Sequence, residues 1–228
     1  MNNHPIYVEY PICQRIRLSK IIAEDHFDDL RLFLDAISGL INRAEKRDTD
    51  AIIRQFEEHH MNKDEIAWEE HYPYWWQDII GLRFWRSYTV SLIAAAEDHL
   101  IDVCNIIQNI SKSPIGIEDL RGGTIARCKK YLTTFGKFVK PSQMSWDRMD
   151  RLYVLRNILI HSAAVAQEKS KNERKIKKLA KESNNTLETN PVIEVTQPFC
   201  EWALENVKNF ILDDLLGELE RKSKSFMV

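Results

Sequence analysis

The segment RNILIH, residues 156–161, places three polar side chains in an otherwise apolar helical run. Histidine can accept or donate a proton near neutral pH, and arginine offers a fixed fork of donors to an anionic oxygen. Asn157 lies four residues before His161 and shares its side of a helix. Arg156 is about 140° away around the axis, but its long stem can bring the guanidinium round. Arg156, Asn157 and His161 can therefore converge on one phosphate-sized anion.

The surrounding pattern distinguishes this segment from a second pair with the same spacing, Arg54 and His59. That second pair lies in an acidic, sparsely apolar stretch, which is typical of a surface helix. His161 instead falls on an apolar stripe, and the pattern predicts that it faces the core. The stripe consists of Val154, Ile158, His161 and Val165. A core histidine with a local hydrogen bond, beside an arginine reaching solvent, is the alternative that spacing alone leaves open.

A second helix supplies a possible partner for the motif. Its stripe consists of Ile93, Glu97, Leu100, Cys104 and Ile107. A carboxylate at such a core-facing position needs a partner, and we expect Glu97 to pair with Arg156 or His161. Reaching out to solvent, or bonding a backbone group, is the alternative for Glu97.

Charge is unevenly distributed along the chain, although the net charge is only −2. Residues 120–182 contain 16 Lys and Arg against 5 Asp and Glu, whereas the remainder is acidic. A basic block around the motif predicts an anion-facing surface, with Arg151, Lys175, Lys177 and Lys178 as candidate contacts for a polyanionic partner. The alternative, favoured for residues 168–183 taken alone, is a solvated lysine-rich helix or loop.

Helical periodicity dominates the sequence and predicts an all-α bundle of four to six helices, with a basic insertion near 167–190. The predicted helices cover residues 19–47, a surface stretch near 51–60, 77–110, a shorter helix ending at Gly136, a motif helix capped by Ser145, and 198–222. The first helix should bury Ile22, Phe27, Leu30, Leu34, Ile37 and Ile41. Residues 190–199 predict one short strand.

These features resemble the HEPN domain superfamily, whose signature is Arg-x4-His, commonly with a polar residue after the arginine. RNILIH matches that signature, and the earlier helix carrying Glu97 and the apolar C-terminal helix suit the same fold. The resemblance covers roughly residues 77–220. It implies a HEPN-like up-and-down bundle over 77–228, preceded by an N-terminal helical extension over 1–76.

The resemblance implies a metal-independent endoribonuclease, many relatives of this type being toxins or antiviral effectors. Arg156 and His161 of two subunits would form a composite catalytic site at a homodimer interface, with Asn157 orienting them and Glu97 beside them. RNA is the implied substrate, and an antitoxin or regulatory protein is a further expected partner. Ser162 and Ala163 follow the motif, where one branch of the family carries a modified tyrosine, which puts that regulation in doubt. Some HEPN domains only dimerise or bind a partner, so a non-catalytic interaction module is the alternative.

Other classes of function find little support. We expect no cofactor and no metal, because Glu57 and His60 form one Glu-x-x-His pair and a di-iron bundle needs two. A metal-binding bundle therefore ranks behind both readings above. The four cysteines lack paired spacing and indicate reduced thiols. With no secretion signal and no apolar run of about 18 residues, we expect a cytoplasmic protein without a membrane contact.

Overall fold

A computed structural model describes residues 11–58, 75–161, 171–189 and 192–226 of the chain. Within these ranges the helices form six continuous segments, which confirms the predicted all-α bundle. The first segment is α1 (Ile12–Glu58), and the second is a π-helical turn (Trp75–Gly81) that leads into α2 (Leu82–Ser111). The next three are α3 (Thr124–Thr134), α4 (Gln143–His161) and α5 (Lys171–Glu182). The sixth is α6 (Gln197–Asn209), which continues through a second π-helical turn (Phe210–Leu216) into α7 (Gly217–Phe226). A 3-10 turn, Ile117–Asp119, precedes α3.

The first helix is longer than its apolar pattern predicts. It begins at Ile12 and includes the acidic stretch to Glu58, because no Pro interrupts residues 12–58. Phe27, Leu34 and Ile41 are buried as predicted, and Leu30 and Ile37 pack partly against the core. The prediction for Ile22 is wrong, because its side chain is exposed and Ala23 takes the buried position instead.

Helix α2 lies at the centre of the bundle and packs against α1, α3, α4 and α6. Ile93, Leu100, Cys104 and Ile107 of its predicted stripe are buried. The helix ends where Lys112 adopts a left-handed conformation and donates its backbone N–H to the carbonyl of Gln108. Pro114 follows two residues later, so the predicted end of this helix is confirmed.

The chain between α5 and α6 forms a two-stranded antiparallel sheet rather than the single strand that we predicted. Strand β1, Leu187–Glu188, pairs with β2, Glu194–Val195, with Leu187 opposite Val195. Thr196 then caps α6, its hydroxyl accepting from the N–H of Phe199. The α6 to α7 segment buries Phe199, Leu204, Val207 and Leu215, as its periodicity predicts.

The basic insertion predicted near 167–190 contains α5, which is an amphipathic helix and not a solvated excursion. Ile176, Leu179 and Ala180 are buried, and the helix packs against α4. Positions 167–170 and 190 of that insertion lie outside the described residues. One face of the lysine-rich helix α5 therefore belongs to the core. The alternative of a fully solvated helix is wrong for that face.

Candidate active site on the fourth helix

The motif helix α4 is anchored along one side of its length. It begins at Gln143, where the hydroxyl of Ser142 accepts from the N–H of Ser145 at 3.1 Å. The N-cap of α4 is therefore Ser142, and the prediction of Ser145 is wrong by about one turn. Leu152, Leu155 and Ile158 are buried, and α4 packs against α2, α3 and α5.

Ion pairs fix α5 against α4. The Nη2 atom of Arg151 donates to both carboxylate oxygens of Glu182, at 2.7 and 2.6 Å. Lys175 Nζ lies 2.5 Å from Asp150 Oδ2. A charge-assisted pair in a partly dry setting is strong when its geometry is good. The two contacts therefore hold the lysine-rich helix in one position along the motif helix.

Arg148 of α4 contacts two residues of α6. Its guanidinium carbon lies 5.7 Å from the centre of the Trp202 ring, and its Nη1 donates to Asn206 Oδ1 at 2.5 Å. The Nε atom also lies 3.7 Å from Glu182 Oε2. A stacked arginine with several donors engaged resists displacement. The N-terminal two thirds of α4 are thus held from two sides.

The motif residues Arg156 and Asn157 are in direct contact. Arg156 Nη1 donates to Asn157 Oδ1 at 3.0 Å, and both side chains are half-buried. The Nε atom of Arg156 is buried and finds no hydrogen-bond partner within the described residues. Counting partners in the described ranges alone, the pair leaves guanidinium donors uncommitted, as recognition of a phosphoryl oxygen would require.

His161 is the last residue of α4 and is exposed to solvent. The prediction that it faces the core is wrong, because Ile158 is the last buried residue of the helix and His161, three residues later, is exposed. Val154 is half-buried, and Val165 lies outside the described residues. The alternative of a core histidine is excluded by the same exposure. The imidazole is instead open to a substrate or a second chain.

Glu97 does not join this group. Its side chain is half-buried on α2, and it makes no hydrogen bond or ion pair with any residue of the described ranges. Within the described residues the predicted pairing with Arg156 or His161 is therefore wrong, and the acceptor that Arg156 contacts there is Asn157 Oδ1. A helical stripe gives the direction of a side chain, but it does not give the level at which two helices meet.

The predicted RNA contacts divide into two groups. Arg151 is in the interior, its side chain 5% exposed and paired with Glu182, so its guanidinium is not open to a phosphate. Lys175 is committed to Asp150. Lys177 is exposed and forms a pair with Glu173 one turn earlier, and Lys178 is exposed. Only the latter two lysines present their charge to solvent.

The acidic partners of the basic block are residues that sequence reasoning missed. Asp150 and Glu182 are two of its few carboxylates, and each neutralises a cation from another helix. Glu182 is 31 residues from Arg151, a separation that no local spacing rule covers. The excess of Lys and Arg was the only available signal, since a buried cation needs a nearby anion.

Neither of two cavities in the described part of the chain is lined by a residue of the Arg156–His161 motif. A groove of about 540 Å³ lies between α1 and α7, lined in part by Cys13, Arg17 and Lys20. A smaller pocket of about 100 Å³ includes Ser145, which is about 24 Å along α4 from His161. In the described parts of the chain, no three His, Cys, Asp or Glu side chains gather as metal ligands would. Among the same residues, no helix is long and apolar enough to cross a bilayer.

Comparison of the chain with protein-family models, with curated proteins and with solved structures finds no match. The geometry of α4 and its neighbours is accordingly the basis for any assignment of function.

Proposed function

We propose that the chain is a metal-independent endoribonuclease of HEPN type, acting as a toxin or antiviral effector in a reducing compartment such as the cytoplasm. The observation that supports this most is the arrangement on α4. Arg156 and Asn157 are hydrogen-bonded to each other, and His161 is exposed just over one turn further along the same helix. The rigid attachment of α4 to α5 and α6 suits a site whose groups must be held in place.

The chemistry needs no metal, because RNA carries its own nucleophile. The 2′-oxygen attacks the adjacent phosphorus, a bond from phosphorus to the 2′-oxygen forms, and the bond to the 5′-oxygen breaks. One histidine accepts the proton of the 2′-hydroxyl, and another donates a proton to the leaving 5′-oxygen. The guanidinium of Arg156 stabilises the anionic phosphorane. The products are a 2′,3′-cyclic phosphate and a 5′-hydroxyl.

A single chain supplies one exposed motif histidine, whereas the reaction uses two proton transfers. We therefore place two copies of α4 on either side of the scissile phosphate, so that each contributes one His161. Lys177 and Lys178 extend the positive surface along α5 and would hold the RNA backbone. An antitoxin or other regulatory partner would act by covering this surface.

The decisive experiment incubates the pure protein with mixed cellular RNA in EDTA. Wild type should cleave, and His161→Ala or Arg156→Ala should lower the rate by about 10²- to 10⁴-fold, the range for loss of an acid–base or oxyanion-stabilising group. Arg54→Ala and His59→Ala are the matched controls, because they alter the other Arg-x4-His pair and should leave cleavage unchanged. Equal activity of His161→Ala and wild type, or an inert wild type, would contradict the proposal.

The second candidate is a non-catalytic dimerisation or interaction module. It is favoured by the large apolar side chains that α1 exposes, Leu32, Phe33 and Leu40. Such residues are characteristic of a protein-binding surface when they lie together. An inert wild type that leaves cell growth unaffected on expression would support this candidate over the nuclease.

A further inference from the structure

The solvent-facing side of α1 exposes several large apolar side chains. Leu32 is 67% exposed, Phe33 51% and Leu40 54%, and all three lie near the middle of the described helix. Phe33 also contacts Phe84 of α2, with ring centroids 5.4 Å apart, so it is held in place at the edge of this face. Contiguous apolar side chains in such a position commonly mark an interaction surface.

The charges that flank these residues are arranged symmetrically about Ala36. Counting outwards from Ala36, leucine occurs four residues away on both sides, and charged residues occur seven and eleven residues away on both sides. At about 100° per residue these positions lie within about 40° of one line along the helix. We name this line of residues the α1 stripe. Its members, all exposed, are Asp25, Asp29, Leu32, Ala36, Leu40, Arg43 and Arg47.

The two ends of the α1 stripe carry opposite charges. Both positions on the N-terminal side are aspartates, and both positions on the C-terminal side are arginines. A two-fold axis through Ala36 would place Asp25 of one copy against Arg47 of the other, and Asp29 against Arg43. The same axis would bring Leu32 onto Leu40 twice. A two-fold interface requires this kind of self-complementary surface.

We propose that two copies of the chain associate through an antiparallel pairing of their α1 stripes. The paired segment runs from Asp25 to Arg47, which is 23 residues and about 33 Å of helix. Leu32 and Leu40 of each copy become covered at the centre, where Ala36 lets the two backbones approach closely, and Phe33 is covered at the edge. Four ion pairs close the two ends and fix the antiparallel direction, because a parallel pairing would bring like charges together.

The charged groups are free to make these pairs. Asp25 and Asp29 have no ion-pair partner in the described residues, and the guanidinium of Arg43 lies along its own helix over Gly39. Arg47 contacts the adjacent Asp48 in an exposed position, an interaction of small energy that can be exchanged. A partner of uniform charge would satisfy one end of the stripe and repel the other. A second copy satisfies both ends at once.

This surface is separate from the motif helix. Helix α1 packs mainly against α2, α6, α7 and the two π-helical turns, whereas α4 packs mainly against α2, α3 and α5. The pairing of α1 stripes therefore does not depend on the proposed ribonuclease site. Its test measures mass in RNA-free solution, where no scissile phosphate lies between two copies of α4, and RNA cleavage is a separate readout.

The first experiment compares oligomeric mass across a concentration series by sedimentation or light scattering. Wild type should form a species of twice the 26.8 kDa chain mass. Leu32→Lys combined with Leu40→Lys should weaken that association by at least about 100-fold, because both central contacts become buried charges. Val139→Lys with Met144→Lys is the matched control, since these two apolar side chains lie elsewhere and are somewhat more exposed than Leu32 and Leu40. Circular dichroism confirms that each variant remains folded.

The second experiment tests the direction of pairing by charge exchange. Asp25→Arg with Asp29→Arg makes the stripe wholly basic, and Arg43→Asp with Arg47→Asp makes it wholly acidic, so each variant alone should be monomeric. Mixing the two should restore a dimer containing one copy of each. The four-fold exchange in one chain should dimerise with itself, because it keeps opposite charges at the two ends of the stripe. A monomeric wild type, or an association that none of these changes alters, would overturn the proposal.

Discussion

A single nitrogen of Arg151, Nη2, donates to both carboxylate oxygens of Glu182, and this contact joins the motif helix to the lysine-rich helix α5. The arginine is almost completely buried, whereas the glutamate is nearer the surface. Removing one partner of a buried pair leaves the other charge uncompensated, and that loss commonly exceeds the net value of the pair. The contact therefore governs both the stability of the bundle and the position of α5.

We expect Glu182→Ala to lower the free energy of unfolding by about 3 kcal/mol, because the guanidinium of Arg151 remains buried without its anion. Urea denaturation measures the loss. Glu188→Ala, an exposed glutamate on β1, is the control and should change stability by less than about 0.5 kcal/mol. Replacing the pair by Met at 151 and Leu at 182 should recover much of the loss. Equal effects of Glu182→Ala and its control would contradict this role.

If the chain binds RNA as proposed, Lys177 and Lys178 should account for part of the salt dependence of that binding, because both are exposed on α5. Replacing both by Ala should lower affinity and reduce the magnitude of the salt slope by about 0.7 for each lost single-strand contact. Fluorescence anisotropy with a labelled oligoribonucleotide at several salt concentrations measures the slope. Arg17→Ala with Lys46→Ala, two exposed cations on α1, is the control. An unchanged slope would assign these lysines to solvation alone.

Much of the fold follows from apolar periodicity. The pattern of Phe199, Leu204, Val207 and Leu215 predicts the C-terminal helix, and all four are buried. The same rule is wrong for His161, since periodicity assumes that a helix stays against the bundle along its whole length. Helix α4 continues past its last buried residue, Ile158. The position of that last buried residue depends on how the other helices pack against α4.

The site is predicted less completely than the fold, because its pairings join distant parts of the chain. The contact of Arg156 with Asn157 is local and consistent with the motif. The pairing of Arg151 with Glu182 depends on how α5 lies along α4, and the failure of Glu97 to reach the motif depends on how α2 crosses it. Charge counting found the basic block, but it could not separate its buried cations from its exposed ones.

His99 provides a pH-dependent contribution to stability that no motif indicated. Its ring is buried beside Phe27 and His26, with centroid distances of 5.5 and 5.4 Å, and its Nε2 has no partner among the described residues. Burial, and secondarily the nearby His26, lowers the pKa of His99 to about 4. Since the ordinary pKa of histidine is about 6.5, the unfolded chain binds a proton between these values that the folded chain does not.

Stability should therefore fall as the pH is lowered from 6.5 towards 4, and this loss should be smaller in His99→Leu. The difference between the two proteins over that window should reach about 3 kcal/mol at most, from roughly 1.4 kcal/mol per pH unit. Urea denaturation at pH 7, 6, 5 and 4 measures both curves. His26→Ala, which leaves the buried imidazole in place, should retain most of the wild-type slope. Parallel curves for wild type and His99→Leu would show that burial of this ring does not control the acid sensitivity.

Asn157 should act as a positioning residue if the chain cleaves RNA, because its Oδ1 accepts from Arg156 Nη1 and holds the guanidinium on the side of α4 that it shares with His161. Asn157→Ala should lower kcat with little change in KM for RNA, since a free guanidinium still attracts phosphate but loses its orientation. Asn157→Asp keeps the acceptor but adds a negative charge beside the phosphate, so it should cleave more slowly than Asn157→Ala. Single-turnover cleavage and thermal denaturation separate this role from a structural one. A variant that loses stability in proportion to its activity would make Asn157 part of the scaffold instead.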